Sequence, residues 1–284
     1  MKNFNLKPLL GGAGLRHEHF EAIIEQRPPF RWFEVISENF MGFGGAAQEA
    51  LQEIRKSYQI IGHGVCTSIG STDPLDMTYL KEMRIFLDEI NSPWASDHLC
   101  FTKVDHTNLN DLIPIPFTEE SAQNCIERLK IIQNELGRPF MFENVTRYMT
   151  VSDREMSEAE FINRIVDRSG CGLLLDITNA YLNSNFHKYD ALEFIKSLPL
   201  DHVGQVHLAG WEPEADGKII DSHDAPVPKQ VWDLFREFTK IAGPSSVLVE
   251  WDSLLPSVDR LLEETVRADK LIAEVTGTVF EMAA

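Results

Sequence analysis

The stretch Ser245-Ser-Val-Leu-Val-Glu-Trp-Asp252 is an apolar, β-branched run that leads into the carboxylate of Glu250. The same design recurs in five further segments, each a short hydrophobic run that ends in an acidic or imidazole side chain: Ile60-Ile-Gly-His63, Trp94-Ala-Ser-Asp-His98, Phe140-Met-Phe-Glu143, Gly172-Leu-Leu-Leu-Asp176 and Val203-Gly-Gln-Val-His207. A buried strand has no structural need for such a group, because burying an unpaired charge is costly. The repetition indicates that these side chains share a partner, and a metal cluster is the simplest one.

The hydrophobic runs alternate with segments of helical periodicity along the whole chain. About eight nearly continuous apolar strands alternate with about eight helices, which is typical of parallel β/α architecture. We predict a closed (β/α)8 TIM barrel, in which active sites lie at the carboxyl ends of the strands. A doubly wound open sheet is the competing arrangement, but polar side chains from so many strands converge only if the sheet closes. No linker or change of composition marks a second domain, so we expect residues 1–284 to form one domain.

Cap and turn residues set more detailed expectations. A helix is predicted from Pro74 to Ile90, with Asp73 as its N-cap and Pro74 in its first turn. The segments 105–117 and 179–189 are predicted to be loops because both are polar, and the first is also punctuated by prolines. The segment 145–156 is predicted to be a polar loop long enough to act as a lid.

The overall charge and the cysteine pattern exclude several classes of function. A net charge of −18 argues against an electrostatic grip on nucleic acid or an anionic membrane, which requires a basic surface. The N-terminus lacks the hydrophobic region of a signal peptide, and no apolar run approaches the ~20 residues of a membrane span. We therefore expect a cytoplasmic protein. The cysteines form no C-x-x-C pair, and we expect reduced thiols packed in the interior: Cys66, Cys100, Cys125 and Cys171.

The candidate metal ligands are four imidazoles and four carboxylates: His63, His98, Glu143, Asp176, His207, Asp221, His223 and Glu250. A single histidine or glutamate at a strand end is more often a hydrogen-bonded or ion-paired structural group. The complete set is too large for one ion with an open coordination position, and it suits two or three ions that share carboxylates. Mixed nitrogen and oxygen ligands without thiolate fit iron, manganese or zinc and do not separate them. In Asp221-Ser-His223 the two ligands lie on the same side of an extended segment.

Further polar residues lie close to these ligands in sequence or at matching strand ends. They are expected to support the ligands or to join them, since a ligating imidazole needs a partner on its other nitrogen: Glu34, Asn39, Asp97, Asn144 and Asn179. Among them, Asp97, Asn144 and Asn179 are the candidate catalytic residues, and Asn179 is the best candidate for direct coordination or substrate contact. Three aromatic residues in predicted loops could line a pocket: Tyr148, Tyr181 and Trp211. The other histidines are interpreted as surface or loop residues: His17, His19, His106, His187 and His202.

The order of these motifs resembles the DUF692 family of multinuclear non-haem iron-dependent oxidative enzymes, which includes the methanobactin and thiaglutamate biosynthesis enzymes. The resemblance extends from about Gly11 to Asp252 and rests on eight pieces: Glu34-x4-Asn39, His63-Gly64, Ser96-Asp97-His98, Glu143-Asn144, Asp176-x-x-Asn179, His207-x-Ala-Gly210, Asp221-x-His223-Asp224 and Glu250-x-Asp252. It implies a barrel of the xylose-isomerase/endonuclease IV-like type, with the eight candidate ligands holding two or three iron ions, Fe2+ or Fe3+. It also implies O2 as co-substrate.

The same resemblance implies a substrate and a partner. The substrate would be a ribosomally synthesised precursor peptide, commonly modified at a cysteine, and a small partner protein would bind the leader of that peptide. The implied reaction binds the substrate side chain to one ferrous ion, activates O2 and abstracts hydrogen from the cysteine β-carbon. The chain shows no obvious leader-binding domain, which is consistent with a separate partner.

Three other readings use the same residues. An endonuclease IV-like zinc phosphodiesterase shares most of this ligand order, but it has a histidine where Asn179 stands and is expected to have a basic DNA-binding surface. A sugar isomerase or epimerase usually has fewer histidines at its metals. A metal-storing module without turnover would not need the long polar loops around the site.

Overall fold

A computed structural model of the chain describes residues 4, 6–42, 44–105, 107–150, 154–213 and 218–278. The strands in chain order are β1 (Gly11–Gly14), β2 (Trp32–Ile36), β3 (Gln59–Gly64), β4 (Ala95–His98), β5 (Cys100–Val104), β6 (Thr107–Pro114), β7 (Phe140–Glu143), β8 (Gly172–Asp176), β9 (Val203–Leu208) and β10 (Ser246–Val249). Eight of them form a closed parallel barrel in the order β1-β10-β9-β8-β7-β4-β3-β2. The predicted TIM barrel is thereby confirmed, and the open sheet is excluded.

The helices pack around the outside of this barrel. They are α1 (Phe20–Gln26), α2 (Ala46–Ile54), α3 (Met77–Glu89), α4 (Glu119–Leu136), α5 (Glu158–Ser169), α6 (Ile177–His187), α7 (Ala191–Lys196), α8 (Lys229–Ala242) and α9 (Val258–Thr276). The main hydrophobic core lies between the strands and these helices. Among the described helices, none is long and apolar enough to cross a membrane.

The barrel interior consists of an apolar layer below a polar one. A separate buried cluster contains Trp32, Ile61, Trp94, Met141, Leu174 and Leu248. In a strand, residues two apart point to the same face. The residues two positions after Ile61, Met141 and Leu248 therefore also face the barrel interior, one layer closer to the carboxyl ends of the strands. These residues are His63, Glu143 and Glu250. Gly12 makes room for the indole of Trp32, since a Cβ there would lie 2.3 Å from the ring.

Two predicted loops are regular structure. The segment predicted as a loop over 179–189 lies mostly within α6, whose first turn is capped by the side chain of Asp176 accepting from the amide of Asn179 at 2.7 Å. The helix has no clean apolar stripe because its buried polar residues, Asn183 among them, make tertiary hydrogen bonds. The predicted loop over 105–117 contains β6, which pairs with β5 as an antiparallel hairpin above the barrel.

The start of α3 also differs from the prediction. The helix begins at Met77 rather than Pro74, and its cap is Asp76 rather than Asp73. The Asp76 carboxylate accepts from the amides of Thr78 and Tyr79 at 3.1 and 3.0 Å, which satisfies two of the donors at the helix start.

Two of the histidines interpreted as surface or loop residues are in fact buried. His19 is 4% exposed and its Nε2 lies 3.0 Å from the carbonyl of Pro256, while His202 is 7% exposed. His106 lies outside the described residues. The expectation for the cysteines is confirmed for Cys100, Cys125 and Cys171, which are buried free thiols, whereas Cys66 is only half-buried.

Candidate metal centre

All eight predicted ligands meet at the carboxyl end of the barrel. Six of them line a pocket of about 500 Å3 between the strand ends, the β5–β6 hairpin and the loop after β7: His63, His98, Glu143, Asp221, His223 and Glu250. The other two, Asp176 and His207, are 0% exposed. The ligand atoms fall into three overlapping groups, each compact enough to hold one ion.

The first group consists of His63, His98 and Glu143. The Nε2 atoms of the two histidines are 3.4 Å apart, and they lie 3.4 and 3.6 Å from Oε2 of Glu143. A first-row metal ion with ligand distances of about 2.1 Å holds neighbouring ligand atoms about 3.0 Å apart in octahedral geometry and about 3.4 Å apart in tetrahedral geometry. The observed separations match the tetrahedral value and need only small shifts for the octahedral one.

The second group consists of Glu143, Asp176 and His207. Nδ1 of His207 lies 3.3 Å from Oε1 of Glu143. Oε2 of Glu143 therefore faces the first group and Oε1 faces the second, as in a carboxylate that bridges two sites. The other imidazole nitrogen, Nε2 of His207, lies 3.1 Å from Oε1 of Glu34, and Gln205 donates to Oε2 of Glu34 at 2.6 Å. Glu34 thus supports His207, as expected for a residue behind a ligand.

The third group consists of Asp176, His223 and Glu250, with Asp221 beside it. Oε2 of Glu250 lies 3.2 Å from Nδ1 of His207 and 3.6 Å from Nδ1 of His223, so it spans the second and third groups. Nε2 of His223 lies 2.7 Å from Oδ1 of Asp221. His223 has a left-handed backbone with φ of 48°, a conformation that is uncommon for a residue with a Cβ.

Several buried atoms of this cluster have no hydrogen-bond partner among the described residues. They include Oε2 of Glu143, Oδ2 of Asp176, Nδ1 of His207 and Oδ1 of Asn179. A buried polar atom without a partner is destabilising, and a charged one more so. Three of these four atoms belong to the predicted ligands and point into the groups described above, so the donor set fits bound metal ions.

Electrostatics in the cluster support the same interpretation. Burial lowers the pKa of His98, but Glu143 and Asp97 outweigh it and raise that pKa to about 9. The pKa values of His207 and His223 are likewise raised well above the ordinary value, because the surrounding carboxylates overcome the effect of burial. Burial and the neighbouring carboxylate of Glu143 raise the pKa of Asp176 well above its usual range. Such a concentration of acidic groups attracts cations, whether protons or metal ions.

The three candidate catalytic residues occupy different positions. Asp97 is 0% exposed, its Oδ2 accepts from the amide of Thr67 at 2.8 Å, and its Oδ1 lies 3.5 Å from Nδ1 of His98. Asn144 accepts from the amide of Asp176 and donates to its carbonyl, both at 2.9 Å, so it holds the backbone of a ligand and is absent from the residues that line the pocket. Asn179 lines the pocket, and its Oδ1 is the unpartnered atom noted above.

The remaining predicted residues do not all reach the pocket. Asn39 is exposed and is not among the residues that line it. Tyr148 accepts from the amide of Asp221 at 2.6 Å and so holds the ligand loop from outside. Tyr181 and Trp211 stack on each other with ring centroids 5.5 Å apart and are also not among the lining residues.

Sequence reasoning missed Arg16, a half-buried cation beside the carboxylates of this centre. Its guanidinium lies 3.6 Å from Oε1 of Glu250 and is hydrogen-bonded to Asp252, whose other oxygen lies 2.9 Å from Nδ1 of His223. The sequence feature connected with Arg16 is the glycine two positions earlier. Gly14 leaves room for the guanidinium, since a Cβ at this position would lie 3.0 Å from it. Cys66, Asn108 and Asp111 also line the pocket and were not predicted to do so.

Comparison with known proteins finds one matching family model and several similar proteins. A family model described as "RiPP precursor modification enzyme MbnB/TglH/ChrH" matches residues 11–273. A UPF0276 protein from Anaeromyxobacter sp. (strain Fw109-5) is 39% identical over 266 residues, covering 93% of this chain and 94% of its own length. A UPF0276 protein from Vibrio parahaemolyticus is 33% identical over 279 residues, covering 97% and 96%.

Solved structures share the fold. A D-psicose 3-epimerase crystallised with D-fructose has a TM-score of 0.58 at 12% identity, covering 95% of this chain and 100% of its own. A xylose isomerase domain protein from Planctomyces limnophilus has a TM-score of 0.56 at 13% identity, covering 96% and 100%. At this level of identity the likeness establishes a xylose isomerase-like barrel and carries no information about substrate.

Proposed function

Because the chain belongs to the MbnB/TglH/ChrH family of RiPP precursor modification enzymes, we propose that it oxidises one residue of a ribosomally synthesised precursor peptide. We expect this residue to be a cysteine. The reaction would use O2 and two or three iron ions at the carboxyl end of the barrel. The observation that carries the metal part of the proposal is the presence of three overlapping ligand groups, in which buried atoms of Glu143, Asp176 and His207 accept or donate no hydrogen bond within the described residues.

The residues of each group have distinct tasks in this proposal. His63, His98 and Glu143 would hold one ion, Glu143, Asp176 and His207 a second, and Asp176, His223 and Glu250, together with Asp221, a third. When bound, iron would supply one-electron redox chemistry and positions for O2 and the substrate thiolate. Glu143 and Glu250 would keep neighbouring ions at a fixed separation, because each contacts ligands of two groups.

Other residues would prepare the pocket for the substrate. Glu34 fixes the orientation of His207 by holding its Nε2, which leaves Nδ1 directed at the cluster. Asn179 lines the pocket, and its side chain would contact a peptide substrate bound there. The β5–β6 hairpin contributes Asn108 and Asp111 to one wall and thereby narrows access of water to the metals.

The family context extends the proposal to partners and location. We propose that a small separate protein binds the leader of the precursor peptide and delivers it to this chain, and that the reaction takes place in the cytoplasm. Nucleic acid is not expected as a substrate, because the chain has a net charge of −18.

A zinc phosphodiesterase remains the second candidate, because the separations in the first ligand group equally suit zinc. Metal analysis combined with Mössbauer spectroscopy on anaerobically purified protein separates the two. Two or three irons per chain, at least partly ferrous and reactive towards O2, support oxidative modification. Stoichiometric zinc with no redox change in air would refute it and favour hydrolysis.

Activity requires a second experiment. The chain would be co-expressed with a short cysteine-containing reading frame from its gene neighbourhood, with and without the adjacent candidate partner gene. Mass spectrometry of the peptide is expected to show an O2-dependent mass change that disappears in His63→Ala and Asp176→Asn. An unchanged peptide in the presence of the iron-loaded enzyme and both genes would count against this substrate class.

A further inference from the structure

Arg16 contacts two carboxylates at the edge of the third ligand group, those of Glu250 and Asp252. Its guanidinium lies 3.6 Å from Oε1 of Glu250 and donates to Oδ1 of Asp252. The side chain is 14% exposed, and among the described residues no lysine or arginine lines the metal pocket itself. Because a guanidinium does not lose its proton in proteins, Arg16 places a permanent positive charge against the outer side of this group.

The two oxygens of Glu250 face in different directions. Oε1 faces Arg16, whereas Oε2 lies 3.2 Å from Nδ1 of His207 and 3.6 Å from Nδ1 of His223. A carboxylate can bind a metal ion through one oxygen or through both. While Arg16 holds Oε1, Glu250 directs a single oxygen at the other ligands.

Asp252 lines the metal pocket but belongs to none of the three ligand groups. Its Oδ1 accepts from Arg16, its Oδ2 lies 2.9 Å from Nδ1 of His223, and its amide donates to the carbonyl of His223 at 2.8 Å. Both carboxylate oxygens are thus occupied by side chains of the protein. The side chain of Asp252 is 42% exposed, so packing does not prevent it from turning. Without Arg16, the carboxylate would be free to turn towards an ion beside His223.

The third group is within reach of a substrate. The side chains of Asp221, His223 and Glu250 are 19%, 13% and 13% exposed, and all three line the pocket. A metal ion that reacts needs a coordination position that no protein ligand fills. Additional carboxylate oxygens at this group would therefore strengthen metal binding and remove the position that a substrate needs.

We propose that Arg16 is a positioning residue that keeps a coordination position open at the third ligand group, because it occupies Oε1 of Glu250 and the carboxylate of Asp252. This inference rests on the proposed function in one respect, namely that a metal ion occupies the group. Arg16 also opposes cation binding directly, since like charges repel. Loss of a residue that only supports ligands lowers metal affinity about 10–100-fold, whereas loss of Arg16 should raise it. The sign of the change separates the two roles.

Metal titration of the full chain tests the inference without any peptide. The metal-free protein is titrated with Fe2+ in the absence of O2 against a competing chelator, and circular dichroism verifies folding. The variants are Arg16→Met, Arg16→Lys and the double variant Arg16→Met/Asp252→Asn. The matched control is Arg31→Met, because Arg31 is 21% exposed, pairs with Asp269 at 2.8 Å and precedes β2 at the opposite end of the barrel.

A second measurement on the same samples reports open coordination positions. The probe is nitric oxide, which binds ferrous ions and is followed by electron paramagnetic resonance. Because nitric oxide is neutral, its binding does not depend directly on the charge of residue 16. Arg16→Gln, which removes the charge but can still donate to Asp252, replaces Arg16→Met if that variant does not fold, and it should change both measurements in the same direction.

Arg16→Met is expected to bind one iron about tenfold more tightly and nitric oxide about tenfold more weakly than the unaltered chain. Arg16→Lys and Arg31→Met should change neither value, and adding Asp252→Asn should reverse most of both effects. Weaker or equal iron binding, equal nitric oxide binding, or the same changes in Arg31→Met would overturn the inference.

The outcomes also separate this inference from the proposed function. Tighter iron binding in Arg16→Met, together with a natural precursor that the iron-loaded unaltered chain does not modify, would leave the role of Arg16 standing and reject the proposed function. Modification of that precursor by the unaltered chain, together with weaker iron binding in Arg16→Met, would do the reverse.

Discussion

Oε1 of Glu34 lies 3.1 Å from Nε2 of His207, at the bottom of the cluster where His207 is 0% exposed. The contact leaves Nδ1 of His207 directed at Glu143 and Glu250, at 3.3 and 3.2 Å. A carboxylate in this position orients a ligating imidazole, and the side-chain amide nitrogen of Gln205 lies 2.9 Å from the same ring nitrogen. The role of Glu34 can therefore be separated from that of the ligands themselves.

Glu34→Gln should weaken metal binding without removing a ligand. The neutral amide can still fill the space, but it no longer holds the proton on Nε2 with a charge, and loss of such a supporting group typically lowers metal affinity about 10–100-fold. Anaerobic iron titration would measure the change. Glu264→Gln is the matched control, since Glu264 is also buried but pairs with Arg260 on α9. Equal iron affinity in Glu34→Gln and the unaltered chain would contradict the assigned role.

Asn144→Ala should destabilise the fold and disturb Asp176 together. Asn144 makes two hydrogen bonds at 2.9 Å to the backbone of Asp176, and their loss leaves a buried N–H and C=O unpaired. The expected cost is about 2–3 kcal/mol, from two hydrogen bonds of roughly 1 kcal/mol each plus incomplete solvation of the exposed groups. Urea unfolding of the metal-free protein measures it. Asn163→Ala, which removes bonds from α5 to the carbonyls of Ala159 and Ser197 near the surface, should cost less and leave the iron content unchanged.

Metal binding should release protons, so metal affinity should depend on pH. The pKa of His98 is about 9 in the metal-free cluster, and those of His207 and His223 are raised well above normal, so these imidazoles are protonated near neutral pH. A metal ligand must be deprotonated, so metal affinity should rise with pH up to about 9. Calorimetry in buffers of different ionisation enthalpy counts the protons released.

The raised pKa values of these histidines also determine how the stability of the metal-free protein changes with pH. A histidine whose folded pKa exceeds its unfolded value of about 6.5 contributes stability that is complete below that value and is lost as pH rises through the folded pKa. The metal-free protein should therefore become less stable between about pH 6.5 and 9, whereas the metal-loaded protein should not. Parallel curves for the two forms in thermal unfolding would show that the imidazoles are not the groups that exchange protons for metal.

Cys66 should react slowly with alkylating reagents although it lines the metal pocket. Burial, with Glu38 and Asp97 next, raises the pKa of its thiol to about 11, so almost no thiolate exists at pH 7.5. The rate of iodoacetamide labelling, followed by mass spectrometry, should increase about tenfold per pH unit up to about pH 10. Glu38→Gln should increase the rate at pH 8 by lowering that pKa. Rapid labelling of Cys66 at pH 7 would refute this description of its surroundings.

The inward direction of the ligands could be predicted from the sequence, because strand geometry alone determines it. Residues two apart share a face, so the apolar residues Ile61 and Leu248 place His63 and Glu250 in the barrel interior whatever the rest of the chain does. The same periodicity, repeated in six segments, led to the parallel barrel. The assignment of the eight residues as metal ligands stays a prediction until metal is measured.

Local signals failed where tertiary contacts decided the structure. The segment beginning at Asn179 looks like a polar loop, yet it lies in α6, because Asp176 caps the helix and Asn183 finds backbone partners in the loop after β7. Similarly, Asp73 has the right residue type for a cap, but Asp76 is the residue whose carboxylate reaches the free amides of α3.

The sequence by itself thus determined the architecture, the end of the barrel that carries the site and the side chains that point into it, since all three follow from periodicity along single strands. Only the tertiary structure decided how those side chains divide into three overlapping groups, which carboxylates span two of them and which cation lies beside Glu250. The physical reason is closure: β1 pairs with β10 across the whole length of the chain, which brings Arg16 against Glu250 and Asp252. No local pattern encodes a contact between residues more than 230 positions apart, and it exists only once the barrel has closed.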